Sequence, residues 1–386
     1  MLIANSVLAI LIGSCCLFSA LSPTGSFSLA AQNDSSYGTT AQYQTPIKHV
    51  VIILMENTEY FDVIGSSSAP FENVLANNYS LATQYYAITH PSLPNYLALI
   101  GGSTFGVTTD CSLVQCLQNS TNLTDLLVQH DYSWKEYAES MQANCSRQPS
   151  LDGLYAPKHD PFVYFKDVTG NDGTGATSTY CDSHVVPFTR FTNDLQSNDL
   201  PNYAFITPNL CNDAHDCSLA YADNWLSTHV SQIIDSTSFS STVIFIVYDE
   251  GSTNLGFSNF NGGHVACIAV SPFVKSHYRS IVQYSHYSLL ATVESIFGVG
   301  SLGRGDSNSS NMQDLFNITL PPNQSTKSPS TVTTAPFYTN IKTESKLNTG
   351  LTGNSLNQYI VFAVITFLIA TVILVTRFRR EGLLQS

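Results

Sequence analysis

The segment His49-Val-Val-Ile-Ile-Leu-Met55 is an unbroken apolar run after its first histidine, and most of its residues are β-branched. A run of this kind is typical of a strand buried on both faces, as in a parallel sheet. Three later segments share the pattern and are also predicted to be strands: Tyr203–Thr207, Thr242–Tyr248 and Val265–Ser271. The sequence therefore predicts a sheet of buried, mainly parallel strands.

Predicted helices lie between and after these strands. They are Phe71–Tyr79, Thr124–His130, Phe188–Leu195, Asp223–Ile234 and Tyr287–Phe297. Strands that alternate with helices are typical of layered α/β domains. We predict a three-layer α/β/α fold with a mostly parallel central sheet over residues 47–300. The irregular, Cys-rich segment Asp110–His184 is expected to form an insertion or a cap over the sheet edge.

Composition excludes two classes of protein. Lys and Arg number 15 and Asp and Glu 28, so the formal net charge of the 386-residue chain is −13. Nucleic-acid binding requires a surplus of Lys and Arg to neutralise phosphates, so we expect no nucleic-acid partner. Hydrophobic residues make up 43% of the chain, which argues against general disorder.

The N-terminal segment Met1–Ala20 is apolar and has no charged side chain, and small residues follow it. This pattern predicts a secretory signal peptide over residues 1–31, with an uncleaved N-terminal anchor as the alternative. Both interpretations place the body of the protein outside the cytoplasm.

The C-terminal segment Tyr359–Val375 also has no charged residue, and three arginines follow it, Arg377, Arg379 and Arg380. Residues 358–376 are long enough as a helix to cross about 30 Å of hydrocarbon. The arginines place the tail, 377–386, in the cytoplasm. Residues 301–357 are rich in Ser, Thr, Asn and Pro, which is typical of an extended stalk. We therefore expect a single-pass cell-surface protein with its N-terminal body outside.

The cysteines fit an oxidising compartment. Nine occur, and two of them, Cys15 and Cys16, lie in the predicted signal. Close pairs favour two disulfides, Cys111–Cys116 and Cys211–Cys217, and elimination leaves Cys145–Cys181 as a third. Cys267 lies in an apolar run and is expected to be a buried free thiol. Asn-x-Ser/Thr sequons are also present, but they are only weak evidence for a glycoprotein.

Polar residues follow the predicted strands directly. Glu56-Asn57 follow the first strand, Asp249-Glu250 follow the third, and a polar loop, Pro208–Asp216, follows the second. The carboxyl ends of parallel strands meet at one edge of a sheet, where α/β proteins bind ligands. Several carboxylates at one edge repel one another unless a divalent cation lies among them. The alternative for each cluster alone is an ordinary polar loop.

Ser92 is the candidate nucleophile, because it lies at the predicted start of a helix. Pro94 suits the first turn of that helix, and Gly101-Gly102 suit its end. A helix N-terminus favours an anionic phosphate. A serine hydroxyl is a poor nucleophile unless a base or a metal activates it. The alternative is that Ser92 is only a helix cap.

Five motifs in order resemble those of the phosphoesterase family that contains bacterial phospholipases C and acid phosphatases. They are His49–Asn57 with Phe61 and Gly65, His90–Tyr96, Lys158–Phe162, Pro208–Cys217 and Tyr248-Asp-Glu250. They are most similar to the motifs of its secreted acid phosphatase branch. The family is grouped with the alkaline phosphatase-like hydrolases, so the resemblance implies a Rossmann-like α/β/α sheet and a metal-assisted nucleophile.

The resemblance also implies roles for individual residues. Ser92 matches the nucleophile. The residues that match metal-binding positions are Glu56, Asn57, Asp249 and Glu250. Those expected around the phosphate or the leaving group are His90, His159, Asn95, Asn212, His215 and His264, with His90 and His159 as candidate proton donors. One departure is that Gly251-Ser252 follow Glu250, where the wider family often has His-Gly-Gly.

These features predict a metal-dependent phosphomonoester hydrolase on the cell surface that forms a phosphoseryl intermediate and acts on a small phosphoester, in acid. Oxygen ligands favour Mg, Ca or Mn, and nearby histidines would admit Zn or Fe. A phospholipase C or phosphodiesterase is the alternative enzyme. A non-catalytic envelope or adhesion glycoprotein is the alternative of another class. The sequence does not indicate an oligomeric state.

Overall fold

The computed structural model describes residues 45–170 and 178–322. The predicted signal peptide (1–31), the stalk beyond residue 322, the helix at 358–376 and the tail lie outside these residues. Within the described ranges, no helix is both long enough and apolar enough to cross a bilayer.

A single eight-stranded sheet organises the described part of the chain. The strands are β1 (His49–Met55), β2 (Ser80–Tyr86), β3 (Trp134–Ala138), β4 (Val185–Pro187), β5 (Tyr203–Thr207), β6 (Thr242–Tyr248), β7 (Cys267–Val270) and β8 (Tyr278–Ser285). Their spatial order is β4-β3-β5-β1-β6-β7-β2-β8. Only β7 runs antiparallel to its neighbours, so the prediction of a mostly parallel sheet is confirmed.

Helices cover this sheet. The α-helices of the described residues are α1 (Tyr60–Val63), α2 (Pro70–Asn78), α3 (Ser92–Gly101), α4 (Leu113–Cys116), α5 (Leu123–Gln129), α6 (Lys166–Thr169), α7 (Thr179–His184), α8 (Thr189–Gln196), α9 (Leu219–Ile234) and α10 (His286–Phe297). Helix α3 packs against α5 and α10, and helix α2 packs against α9. The central strands β5, β6 and β7 are buried along their whole length, so both faces of the sheet are covered.

Three of the predicted strands, β1, β5 and β6, have the bounds that the sequence indicates, and each predicted helix is present within a few residues. The interpretation of Asp110–His184 as an insertion is wrong in part. Strand β3 lies inside that segment and pairs in parallel with β5, so it belongs to the central sheet. Because β3 contains the charged residues Lys135 and Glu136, it is not an apolar run, and the sequence pattern does not predict it as a strand.

The cysteine predictions are confirmed. The structure contains the disulfides Cys111–Cys116, Cys145–Cys181 and Cys211–Cys217. Cys267 is free and buried in β7.

The folded body extends beyond its predicted end at residue 300. Met312, Leu315, Phe316 and Leu320 are buried in the core. The Ser80 hydroxyl donates to the Leu315 carbonyl at 2.9 Å, which ties this segment to β2. The predicted start of the stalk at residue 301 is therefore too early in the chain. A few buried apolar side chains anchor the segment after residue 300, although most of its residues are polar.

Glu72 makes the stability of the fold depend on pH. Its side chain is fully buried in α2, where Tyr248 donates a hydrogen bond to one carboxylate oxygen at 2.9 Å. Burial raises the pKa of Glu72 from 4.5 to about 8, against the opposing hydrogen bond. The folded state therefore holds a proton that the unfolded state releases near pH 4.5. This contribution to stability is fully present below pH 4.5 and is lost as pH rises towards about 8.

We expect Glu72→Gln to reduce the pH dependence of the free energy of unfolding. Between about pH 5 and about pH 8, the wild type should lose up to about 1.4 kcal/mol per pH unit through this group, and the amide removes that slope. Urea unfolding of both proteins at the two pH values measures the difference. Equal slopes in the two proteins would show that Glu72 does not hold its proton.

Candidate active site

The register of β1 and β6 brings two carboxylates that are predicted to bind a metal, Glu56 and Asp249, to one edge of the sheet. Met55 of β1 lies beside Tyr248 of β6, so the next residues, Glu56 and Asp249, leave the sheet together. The Asp249 N–H donates to the Met55 carbonyl at 2.9 Å, and the Asn57 N–H donates to Asp249 Oδ1 at 3.2 Å. Both carboxylates are fully buried.

The loop after β5 reaches the same edge. The Glu56 N–H donates to the Asp213 carbonyl at 2.8 Å, which fixes this loop against the end of β1. The Asp213 side chain is buried, and its Oδ2 atom has no hydrogen-bond partner. A third carboxylate therefore lies beside Glu56 and Asp249.

Ser92 is the first residue of α3 and is only 2% exposed. Its hydroxyl donates to Glu56 Oε2 at 3.2 Å. Burial raises the pKa values of Asp249 and Glu250 to about 8, and the nearby Ser92 hydroxyl opposes this rise in both. The predicted nucleophile therefore donates to one predicted metal-binding carboxylate, Glu56, and two others lie close to it.

Helix α3 has the sequence features that the prediction relied on. Pro94 lies in its first turn, and the helix ends at Gly102 with a φ of 67°, a left-handed conformation that favours glycine. Tyr96, one turn after Ser92, donates to Glu56 Oε1 at 2.6 Å. The helix therefore supplies two hydroxyl groups to one buried carboxylate.

His159 lies against Glu56 from the other side. Its ring stacks on Tyr96 with centroids 5.1 Å apart. Its Nε2 atom lies 3.2 Å from Glu56 Oε1, and its Nδ1 atom lies 3.6 Å from Asp213 Oδ2. Burial lowers the pKa of His159 well below its usual value, so the ring is neutral. A neutral, buried imidazole is better suited to bind a cation than to donate a proton.

The chemistry of these donors fits a divalent cation. Burial raises the pKa of Glu56 well above its usual value, and the nearby Asp249 and Asp213 raise it further. Buried oxygens of Asp213 and Asp249 lack hydrogen-bond partners. Ligand atoms of Glu56, His159 and His215 also lie within 4.8 Å of one another. A cation would satisfy the unpaired oxygens and remove the repulsion among the carboxylates.

His90 and Asn95 frame the site near Glu250. His90 Nδ1 lies 2.7 Å from Glu250 Oε2, and its Nε2 atom lies 3.0 Å from the Thr253 carbonyl. The Asn95 oxygen accepts the N–H groups of Ile88 and Thr89, and its amide donates to the Thr89 carbonyl. Asn95, predicted to bind substrate, therefore holds the turn that precedes Ser92.

Two other predicted residues have structural contacts. Asn212 donates to Glu139 Oε2 at 2.8 Å, which also accepts the Asn209 N–H. His264 is stacked between Tyr60 and Tyr86, and its Nε2 atom lies 3.0 Å from the Thr83 carbonyl. These contacts fix a loop and a strand end, and the phosphate contacts of Asn212 and His264 stay predictions.

Sequence reasoning missed Asp213, Tyr96, Lys158 and Asp110. Asp249 directly follows β6, whereas Asp213 lies six residues beyond the end of β5, inside the polar loop Pro208–Asp216, so its position next to Glu56 depends on the fold of that loop. Lys158 Nζ lies 3.0 Å from Asp110 Oδ2 and 3.4 Å from His215 Nε2. Asp110 comes from the segment after α3, and no pattern of spacing links it to Lys158.

The model of the Phosphoesterase family matches residues 65–300. An acid phosphatase of Aspergillus fumigatus is 33% identical over 278 residues, which cover 69% of this chain and 58% of that protein. The phosphatidylinositol-3-phosphatase of Mycobacterium tuberculosis is 34% identical over 272 residues, covering 69% of this chain and 82% of that one. A solved protein of the alkaline phosphatase superfamily from Vibrio parahaemolyticus overlaps with a TM-score of 0.47 at 13% identity, covering 71% and 73% of the two chains. The chain thus spans less than two thirds of the length of the Aspergillus protein.

Proposed function

Because the chain belongs to the Phosphoesterase family, we propose that it is a metal-dependent phosphomonoester hydrolase of the acid phosphatase type with Ser92 as its nucleophile. The hydrogen bond from the Ser92 hydroxyl to the buried Glu56 carboxylate, with Asp249 and Glu250 close by, supports this function most strongly. The curated relatives are named phosphatases, which favours the same reaction class.

The residues that would hold the cation are Glu56, Asn57, Asp249 and Glu250, with His159, Asp213 and His215 next to Glu56. A divalent cation there would supply positive charge that favours the alkoxide form of a serine and neutralises a phosphoryl oxygen. The mixed oxygen and imidazole donors admit both hard cations and zinc or iron.

The chain's own groups then account for the proton transfers. Glu56 accepts the hydrogen bond of the Ser92 hydroxyl, and in its ionised form, which a neighbouring cation would favour, it is the group to which the serine proton passes. Attack of Ser92 Oγ on phosphorus breaks the bond to the leaving alcohol and gives a phosphoseryl group. Water then cleaves that group and releases phosphate, and the serine regains its proton.

We assign protonation of the leaving alcohol to His90 instead of His159. The His90 side chain is 31% exposed and lies beside the Glu250 carboxylate, whereas His159 is buried and neutral. A proton donor must reach the leaving oxygen and carry a proton at the working pH. His90 meets the first condition by its exposure, whereas the buried, neutral His159 meets neither.

A panel of phosphoesters tests the proposed function. The purified full-length protein should hydrolyse p-nitrophenyl phosphate in acid faster than bis(p-nitrophenyl) phosphate or phosphatidylcholine, and a chelator should stop the reaction. Faster turnover of the diester or the lipid would favour a phosphodiesterase or a phospholipase C. No turnover of any ester and no bound metal would favour a non-catalytic glycoprotein.

We also propose that the protein is exported and displayed on the cell surface. Its three disulfides support an oxidising compartment. Of the sequon asparagines, Asn78 and Asn119 are exposed, whereas Asn122 is buried and caps α5. Peptide mapping after glycosidase treatment should find glycans at exposed sequons and none at Asn122. Reduced cysteines and unmodified sequons in the cellular protein would contradict export.

A further inference from the structure

The Lys158 ammonium is a cation at the edge of the carboxylate cluster. It belongs to a 3₁₀ turn, Pro157–His159, and its side chain is 26% exposed. Its Nζ atom lies 3.0 Å from Asp110 Oδ2 and 3.4 Å from His215 Nε2. Its charge also acts on Glu56 and Asp249, the carboxylates beside Ser92. Lys158 therefore lies beside Asp110 and His215, at the edge of the carboxylate cluster.

Asp110 joins this ammonium to the nucleophile helix. Asp110 Oδ1 accepts the Leu93 N–H at 3.1 Å, and Leu93 is the residue after Ser92. Because Leu93 lies in the first turn of the ten-residue α3, its N–H has no acceptor within the helix. One carboxylate thus accepts both a helix N-terminal N–H and an ammonium, the two kinds of donor that bind phosphate in proteins.

Other polar atoms near Ser92 also lack partners. Asp213 Oδ2 and Asp249 Oδ2 are buried and have no hydrogen bond. Both residues belong to the cluster around Glu56. These unsatisfied oxygens are acceptors and suit the cation described above, so the donors that a phosphate needs must come from Lys158 and Leu93.

We propose that the Lys158 ammonium and the Leu93 N–H bind the phosphoryl dianion of a monoester, and that Asp110 occupies these donors until substrate displaces it. This inference rests on the proposed function and assigns its substrate class. A phosphomonoester carries up to two negative charges, whereas a diester carries one and has one fewer free oxygen. A second cation beside the metal site therefore selects monoesters over diesters.

The test uses three variants and a matched control in the full-length protein. Lys158→Met removes the charge, Lys158→Arg keeps it, and Asp110→Asn removes the competing carboxylate. Lys135→Met is the control, because Lys135 has the same 26% exposure and pairs with Asp194 instead. Isothermal titration with inorganic phosphate measures binding without turnover, and kcat/KM on a monoester and a diester measures specificity.

We expect Lys158→Met to weaken phosphate binding by about tenfold to a hundredfold, the usual effect of losing a charge-assisted hydrogen bond. The monoester-to-diester ratio of kcat/KM should fall by a similar factor. Lys158→Arg should retain much of the phosphate affinity and of the monoester-to-diester ratio. Lys135→Met should change neither the affinity nor the ratio. Asp110→Asn should strengthen phosphate binding severalfold.

The phosphate affinity of Asp110→Asn decides whether Asp110 competes with the substrate. If Asp110→Asn weakens phosphate binding as Lys158→Met does, Asp110 only positions the lysine, and the competition is refuted. If wild type hydrolyses monoesters and Lys158→Met binds phosphate as tightly, the inference fails while the proposed function stands. A wild type that neither binds phosphate nor turns over any ester contradicts both.

Discussion

Ser92→Ala is expected to lower kcat on p-nitrophenyl phosphate by at least about a thousandfold. The Ser92 hydroxyl lies at the start of α3 and donates to Glu56, and Asp249 and Glu250 lie close to it. Alanine leaves the helix and its neighbours in place but removes the only atom that could form the phosphoseryl group. Steady-state kinetics of the purified variant measure the loss.

Ser271→Ala is a matched control for this substitution. Ser271 is also 2% exposed, and its hydroxyl donates to the Thr242 carbonyl at 2.7 Å, at the opposite end of β6 from Asp249. It should keep the turnover of the wild type, and both variants should have folded circular dichroism spectra. Full activity in Ser92→Ala would rule out the nucleophile assignment.

Removal of the divalent cation is expected to abolish turnover and to lower the melting temperature. Without the cation, the buried carboxylates of Glu56, Asp213 and Asp249 repel one another, and this repulsion adds to the burial that raises their pKa values. A cation at one hundred times its Kd would stabilise the folded state by about 2.7 kcal/mol. Dialysis against a chelator, followed by thermal melts and assays, measures both effects.

Adding single metals back to the dialysed protein completes this test. One of them should restore turnover and the melting temperature together, because the carboxylates that we propose as cation ligands lie beside Ser92. In Glu56→Gln, added metal should restore less of the turnover and less of the melting temperature. Glu56 is one of the ligands predicted from the sequence, and it also belongs to the cluster with His159 and His215. Unchanged turnover after complete removal of metal would refute the metal dependence.

The sequence predicts the longer apolar strands and misses the strands that carry polar groups as well as the three-residue strand β4. Strands β1, β5 and β6 are continuous apolar runs, and their bounds follow directly from the sequence. Strand β2 contains Gln84, and β3 contains a buried carboxylate, Glu136, which is paired with Thr207 at 3.1 Å. Such a residue resembles a loop residue until its partner from a distant strand is known.

The same limit applies to the site. Residues that directly follow a predicted strand, such as Glu56 and Asp249, can be expected together because the strands are parallel. The contacts of Lys158 with Asp110 and of Asn212 with Glu139 join segments far apart in the chain. Those contacts depend on how loops pack at the sheet edge, which no periodicity in the sequence records.

The most direct test of the central claim is to locate the phosphoryl group during turnover. The wild-type protein is mixed with a monoester, quenched rapidly in acid and digested, and the peptides are mapped by mass spectrometry. We expect a phosphoryl group on Ser92 in the peptide that contains it, and none on the corresponding peptide of Ser92→Ala. Turnover with the phosphoryl group on another residue, or with Ser92→Ala still active, would contradict it.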